Sequence, residues 1–382
     1  MGHGQGSVYR RKSDGRWCWA VTLEEGRRVG YTATKPEAER ALRIALGEKE
    51  AGTLRAGAQV TTGAFLERWI ETQRTKVRAR TWTSYAGIVK NHLIPSVGRI
   101  PLERLRPSDV EEMLAIKQTR PRTAHPKRPG EAGQQLQPLS PRMAQYVRAV
   151  LRKALRAAIK DGLVARNVAA ETEPPKVERF EAHPLTSDES RRLLEAAAGD
   201  TLEACYRLAL QLGLRQGEVL GLRWEDVDLD AGVVHVRRQL QRIDGRLMLV
   251  DLKTKASRRS LPLPASVSAA LHSQRDRQAA AGIAALPTAF VFTSPSGQPV
   301  DPRNTLARFQ RLLQRAGLPR RRFHDLRHTF GTQLAASGTV QPRDLMELMG
   351  HSQISVTMGY YVTSLPESRR RAIDQLEAVL NG

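Results

Sequence analysis

Apolar positions recur along this chain with changing period, and the changes divide it into parts. Segments 7–11, 16–23 and 27–34 have strand-like composition, separated by turn signals at Asp14-Gly15 and Glu24-Glu25-Gly26. From Lys35 to Glu50 the period becomes helical, with Ala38, Ala41, Leu42, Ala45 and Leu46 on one face. Three strands and a helix predict a small sheet with one face packed and the other free. Tyr9, Arg11, Trp17, Trp19, Arg27, Arg28 and Tyr31 are the candidates for the free face, some of the aromatics being claimed by the packed one.

Residues 52–57 read as a linker, and 61–174 as mostly helical. Thr61/Thr62 can cap a helix carrying Phe65, Leu66, Trp69 and Ile70. A second holds Trp82, Tyr85, Ile88, Val89 and Leu93, and Pro107-Ser108 opens a third with Val110, Met113 and Leu114. A fourth runs from Pro141 to Asp161 with Met143, Tyr146, Val147, Val150, Leu151, Leu155 and Ile159 on its apolar face. Between the last two, 119–140 is rich in Pro, Gly, Gln and Arg, too long and polar for an ordinary connection.

A second linker, 171–184, contains Pro174-Pro175. Beyond it, Thr186 to Glu189 reads as a helix start, and a helix with Cys205, Leu208, Leu210 and Leu212 follows. Strands are expected at 233–236, 247–252 and 259–263, with the Asp244-Gly245 turn between the first two. The remainder is helical. The fold class is therefore mainly α with α+β parts: a small three-stranded sheet plus helix, a helical middle, and a mixed α/β C-terminal domain. The expected domains are 1–56, 57–175 and 183–382.

Charge adds the first functional clue. Against 39 Asp and Glu stand 61 Lys and Arg, a formal net charge of +22. So much positive charge repels itself unless an anionic partner is usual, and a polyanion gains further from counterion release. The basic residues are spread along the whole chain, which favours nucleic acid over a membrane surface. Arg74, Lys76, Arg78, Arg80 and Lys90 place part of that charge on the helical middle. Cys18 and Cys205 stand alone, so neither a disulfide framework nor a cysteine metal site is expected. No apolar stretch of spanning length occurs, and the expected location is the cytoplasm, at the nucleoid of a bacterium.

Four patches of the last domain carry chemistry. They are Leu212 to Glu218, containing Arg215; Leu252-Lys253-Thr254-Lys255; His324-Asp325-Leu326-Arg327-His328; and Leu348 to Ser352, with Tyr360 nine residues past His351. Cleaving a phosphodiester needs a nucleophile, charge neutralisation on the transition state and a proton for the leaving alkoxide. Arg215 and Arg327 suit the non-bridging oxygens, because a guanidinium gives bidentate, permanently charged hydrogen bonds. His324 and Arg327, three apart on a helix, can face one phosphate. Lys253 and Lys255 compete for the general acid. Tyr360 and Tyr361 are adjacent, and only the offset from His351 separates them. His328 and His235 read as structural. His324 and His328 also have a spacing open to zinc, without a third ligand.

Taken together and in order, the four patches resemble the signature of the tyrosine recombinase (phage integrase) family, over residues 183–382. The helical middle and the basic N-terminal sheet resemble that family's core-binding domain and arm-type DNA-binding domain. The resemblance implies a site-specific enzyme that joins attachment sites through a 3′-phosphotyrosine and a Holliday junction, with no cofactor and no metal. It implies Tyr360 as nucleophile, Arg215 and Arg327 on the phosphate, Lys253 as acid, His324 as proton acceptor and His351 as donor to the phosphate, with Glu218 supporting. It further implies double-stranded DNA attachment sites as partner, a homotetramer, and accessory host DNA-bending and directionality factors. A tail helix with Ile373, Leu376, Val379 and Leu380 is expected to dock on a neighbouring protomer or on its own domain. A type IB topoisomerase and a chromosome-dimer resolvase are the alternatives. The separate N-terminal unit counts against both.

Overall fold

The protein is described by a computed structural model covering residues 6–23, 26–50, 60–123, 135–178, 182–284, 286–361 and 377. The 52–57 linker, the middle of the 119–140 segment and the tail positions Ile373, Leu376, Val379 and Leu380 lie outside the described residues. The chain divides into two units, Met1–Glu178 and Arg179–Gly382.

In the first unit, β1 (Ser7–Arg10), β2 (Trp17–Leu23) and β3 (Gly26–Thr32) form an antiparallel meander, on which α1 (Lys35–Glu50) packs. Side chains alternate across a strand, so the register sorts them. Trp19, Val21 and Leu23 meet Leu42, Ala45 and Leu46 on the helix face. Trp19 lies opposite Gly30, where an added Cβ would come within 2.5 Å of the indole. Only glycine lets that ring lie flat across the neighbouring strand. On the other face, Tyr9 and Tyr31 flank the fully buried Cys18 and remain 44% and 51% exposed. Arg11 stacks 4.9 Å from the Tyr31 ring centroid. The expected free face is therefore split. Tyr9, Arg11, Arg27 and Tyr31 occupy it, while Trp17 and Trp19 share the helix side. Arg28 is tied up instead in an ion pair with Glu103, 2.6 Å away.

The rest of this unit is a helical bundle. Its helices are α2 (Thr62–Gln73), α3 (Ala79–Ile88), α4 (Ile94–Val97), α5 (Pro107–Thr119), α6 (Pro141–Lys160) and α7 (Val168–Glu171). Thr61 caps α2 through Ala64 N–H, as its sequence suggests. A π-helical turn, Val89–Leu93, joins α3 to α4. The core holds Phe65, Leu66, Trp69, Leu93, Val110, Val147, Leu151 and Leu155. On α6 the stripe differs from expectation: Met143, Tyr146 and Ile159 are 40%, 36% and 37% exposed. Ala144, Ala154 and Ala158 are buried in their place, since small residues let neighbouring helices approach closely. The long 119–140 segment is pinned at its ends by β4 (Arg122–Thr123) pairing with β5 (Gln135–Leu136).

The second unit begins with α8 (Ser187–Ala197), whose Thr186 and Glu189 form the expected reciprocal cap. There follow α9 (Glu203–Gln211), α10 (Gln216–Leu220), β6 (Val227–Asp228), β7 (Val233–Val236), β8 (Arg238–Ile243), β9 (Arg246–Asp251) and β10 (Arg259–Pro262). Helices α11 (Ala265–Ala280), α12 (Pro302–Arg315), α13 (Phe323–Ser337), α14 (Pro342–Met349) and α15 (354–361) complete it. The β region corrects the sequence expectation. The Asp244-Gly245 turn joins β9 to β8, not to β7, and β7 pairs with β10 and β6 in a separate sheet. Asp244 and Gly245 have φ of 46° and 77°, both left-handed, as a two-residue hairpin of this hand requires. The strand β8 was hidden because Arg238, Gln239, Gln241 and Arg242 outnumber its buried Leu240 and Ile243. Short α10 lies directly on β8: a Cβ at Gly217 or Gly221 would come within 2.9 Å of that strand's backbone. Among the described residues, no helix is long and apolar enough to cross a membrane.

Candidate active site

Five elements of the second unit converge on one cluster of charge. Arg215 stands at the N-cap of α10, and Gly213 just before it has φ 65°, a turn that brings the chain against Phe330 of α13. Glu218, one turn into α10 and 1% exposed, accepts from Arg215 Nη1 at 2.7 Å and from the Arg215 backbone N–H at 3.0 Å. The oxygen that takes the backbone N–H, Oε2, also accepts from Arg259 Nη2 at 3.0 Å. One buried carboxylate thus holds two guanidiniums. Burial pushes its pKa up, but Arg259 and Arg215 outweigh that and hold it below the usual range.

Arg327, on α13, is 1% exposed. It donates from Nη1 to Gly213 O at 2.6 Å and from Nη2 to Met349 O at 2.5 Å. It therefore fastens the loop before α10 to the end of α14. Burial and Arg215 lower its pKa to about 9, still charged at neutral pH. After Met349, Gly350 turns with φ 60° and closely approaches Arg259 and Ser257, which delivers His351 into the same cluster. His351 is 8% exposed. Burial, then Arg327, Arg215 and Arg259, lower its pKa to about 4.

His324 sits on the first turn of α13. Desolvation lowers its pKa, followed by repulsion from His328, Arg327 and Arg215, although the residue keeps an exposed surface. His328 lies beside these groups. Its ring meets His324 edge-on at 5.0 Å and lies 5.5 Å from the ring of Tyr360. One turn along α13 brings it back to the same site.

The two tyrosines have opposite surroundings. Tyr360 is 8% exposed, and its ring stacks 6.0 Å from His351 at an interplanar angle of 11°. Burial raises its pKa, while Arg327 and Arg215 pull it down. Tyr361 instead donates its phenol to Val340 O at 2.6 Å. Gly331 of α13 makes the seat for Tyr360, since a Cβ there would lie 2.8 Å from the ring. Lys253 stands exposed in the turn between β9 and β10, where Thr254 and Ser257 hydroxyls bond each other at 2.8 Å. Arg259, Gly331 and Thr357 were not singled out in the sequence. An arginine beginning a strand carries no local signal, and only the fold brings it to Glu218.

Two outcomes follow from this packing. Removing the carboxylate in Glu218→Ala should cost about 3–5 kcal/mol, because it leaves the buried Arg259 guanidinium uncompensated and frees the partly buried Arg215. Urea unfolding measures this, and a shift under about 1 kcal/mol would show the bridges to be idle. Because the pKa of Glu218 is depressed, its contribution is present above about pH 4.3 and is lost as pH falls through the folded value. His351 acts earlier. The unfolded histidine takes a proton near pH 6.5 but the folded one only near 4, so stability falls as pH drops across that window. The same titration on His351→Asn should be flatter there.

Comparison with known proteins bears on the family and the fold. A model described as the phage integrase family matches residues 183–367, and one described as the phage integrase N-terminal SAM-like domain matches 61–116. A XerC-like tyrosine recombinase of Caldanaerobacter subterraneus is 32% identical over 242 residues, covering 57% of this chain and 61% of that protein. An integrase of Saccharopolyspora erythraea is 27% identical over 424 residues, covering 94% and 93%. The fold matches the Tn1549 transposon integrase in complex with a circular intermediate DNA, with TM-score 0.67 at 23% identity over 83% of this chain and 99% of that one. It also matches a lambda integrase tetramer bound to a Holliday junction, with TM-score 0.57 at 19% identity over 94% and 96%. Both family models fall in order on one chain, and a relative aligns over nearly its whole length: this chain belongs to the phage integrase family, the tyrosine recombinases, which break and rejoin DNA.

Proposed function

We propose that this recombinase integrates and excises a phage or other mobile element, with Tyr360 as the nucleophile. The observation that carries the assignment is the seat of Tyr360 against His351, within the field of Arg215 and Arg327, while the phenol of Tyr361 is spent on Val340. Tyr360 Oη attacks the scissile phosphorus and passes its proton to His324, which is neutral and able to accept. The P–O5′ bond breaks, and the departing oxygen takes a proton from Lys253. Lys255 is the competing acid. Arg215, Arg327 and His351 donate to the non-bridging oxygens, where charge grows in the transition state. Glu218 orients Arg215 and Arg259. The 3′-phosphotyrosine keeps the ester energy, so a 5′ hydroxyl of another strand reverses the steps.

In this reading, residues 1–56 bind arm-type DNA sites through the Tyr9, Arg11, Arg27 and Tyr31 face, 57–175 bind the core site, and 183–382 hold the chemistry. The working species is a homotetramer on two duplexes at the nucleoid, assisted by a host DNA-bending protein and a directionality factor. Alignment of integrases over 94% of this chain supports integration over chromosome-dimer resolution. The test is incubation with plasmids carrying two candidate attachment sites. Recombinant circles, with a covalent adduct that retains the strand labelled 5′ of the nick, support the proposal. Relaxation of a single plasmid without exchange would favour a topoisomerase.

Seating also predicts the effect of Gly331→Ala. The methyl group would displace the Tyr360 ring, and adduct formation should fall about 100-fold, the scale expected for a reacting atom misplaced by an ångström. A suicide-substrate assay measures this. Wild-type cleavage by Gly331→Ala would mean that the ring is not held there during reaction.

A further inference from the structure

His351 meets a partner that no sequence patch marks. Its Nδ1 lies 2.9 Å from Thr357 Oγ1. Both groups are buried, Thr357 completely. Thr357 precedes Tyr360 by three residues on α15, so the two side chains share its inward face, while Ile354, Val356 and Met358 lie outward and exposed. The bond therefore runs from the loop that carries His351 to the helix that carries Tyr360.

The chemistry of that bond bears on what His351 can do. Buried, and near Arg327, Arg215 and Arg259, the imidazole is neutral at physiological pH. A neutral imidazole has one donor nitrogen and one acceptor, and the partner of one decides the role of the other. To donate from Nε2 to a phosphate oxygen, His351 must accept at Nδ1. A carbonyl or carboxylate beside Nδ1 would force the opposite tautomer. A hydroxyl can donate, and Thr357 supplies one at 2.9 Å.

We propose that Thr357 is a positioning residue: its hydroxyl donates to His351 Nδ1, keeps the Nε2–H tautomer ready for the phosphate, and pins α15 so that Tyr360 is seated only when the donor is set. This rests on the reading of His351 as a donor to the phosphate.

Two measurements on the full chain test it. In the DNA-free protein, two-bond 1H–15N correlation of labelled histidine should show His351, identified by loss of its signal in His351→Asn, as the Nε2–H tautomer. Thr357→Val should mix the tautomers, and Thr357→Ser should restore the single one. An Nδ1–H signal in the wild type overturns the inference alone. On nicked suicide duplexes, Thr357→Val should cleave about 10- to 100-fold more slowly, the cost typical of losing a group that orients a functional histidine. Thr357→Ser should recover to within a few-fold. In a His351→Asn background, Thr357→Val should cost nothing more. An equal loss there would show that the threonine serves the helix only, and the inference falls. A wild-type rate for His351→Asn itself would overturn the donor reading, and this inference with it.

Discussion

Tyr360→Phe forms no covalent adduct with a nicked attachment-site duplex, whereas Tyr361→Phe forms it within a few-fold of wild type. The expected gap is at least ~10⁴-fold, since removing the nucleophile leaves no alternative group to make the bond. Loss of one hydroxyl from Tyr360 leaves its packing against Gly331 and His351 intact, so folding is not the confounding factor. Tyr361→Phe loses the hydrogen bond to Val340 O, a contribution of about 1 kcal/mol to the seat of α15. Unfolding of both variants controls for stability, and SDS gels of labelled DNA read the adduct. An adduct surviving in Tyr360→Phe would move the nucleophile elsewhere, with Tyr361 first in line.

For Arg327→Ala, cleavage should fall by about 10³- to 10⁵-fold, the range seen when a positioned cation or donor is taken from a phosphoryl or oxyanion transition state. Two losses combine. The charge beside the reacting phosphate disappears, and so does the strap from Gly213 O to Met349 O that holds Arg215 and His351 together. Arg327→Lys should rescue little, because a single ammonium cannot reach both carbonyls and the phosphate with a fixed fork. Stability should fall less than the two buried carbonyls suggest, at about 1–3 kcal/mol each. Relief of repulsion from Arg215 and Arg259 offsets part of that cost. Parallel measurement of adduct rate and urea midpoint separates the effects. Cleavage within tenfold of wild type would remove Arg327 from the chemistry.

The reading of His328 as structural left its neighbours in the fold open. One residue beyond Arg327 it points away from that arginine, yet four residues beyond His324 it returns to the same face and meets Tyr360. Periodicity alone could place it beside His324, but not beside a tyrosine from a distant helix.

Much of this protein was legible in its residues alone. Helical stripes, the caps at Thr61 and Thr186, and the Asp244-Gly245 turn are local features, decided within a few residues by backbone geometry. The candidate site was legible for a related reason: its chemistry demands arginine, histidine and tyrosine at short, recognisable spacings. What depends on contacts between distant segments had to come from the fold. Tertiary structure decided that β8 pairs with β9, that Trp19 packs inward while Tyr9 and Tyr31 stay open, and that Arg259 shares Glu218 with Arg215. It also sets two adjacent tyrosines in different surroundings, because only the approach of α13 and the His351 loop gives one a seat among arginines and the other a backbone carbonyl.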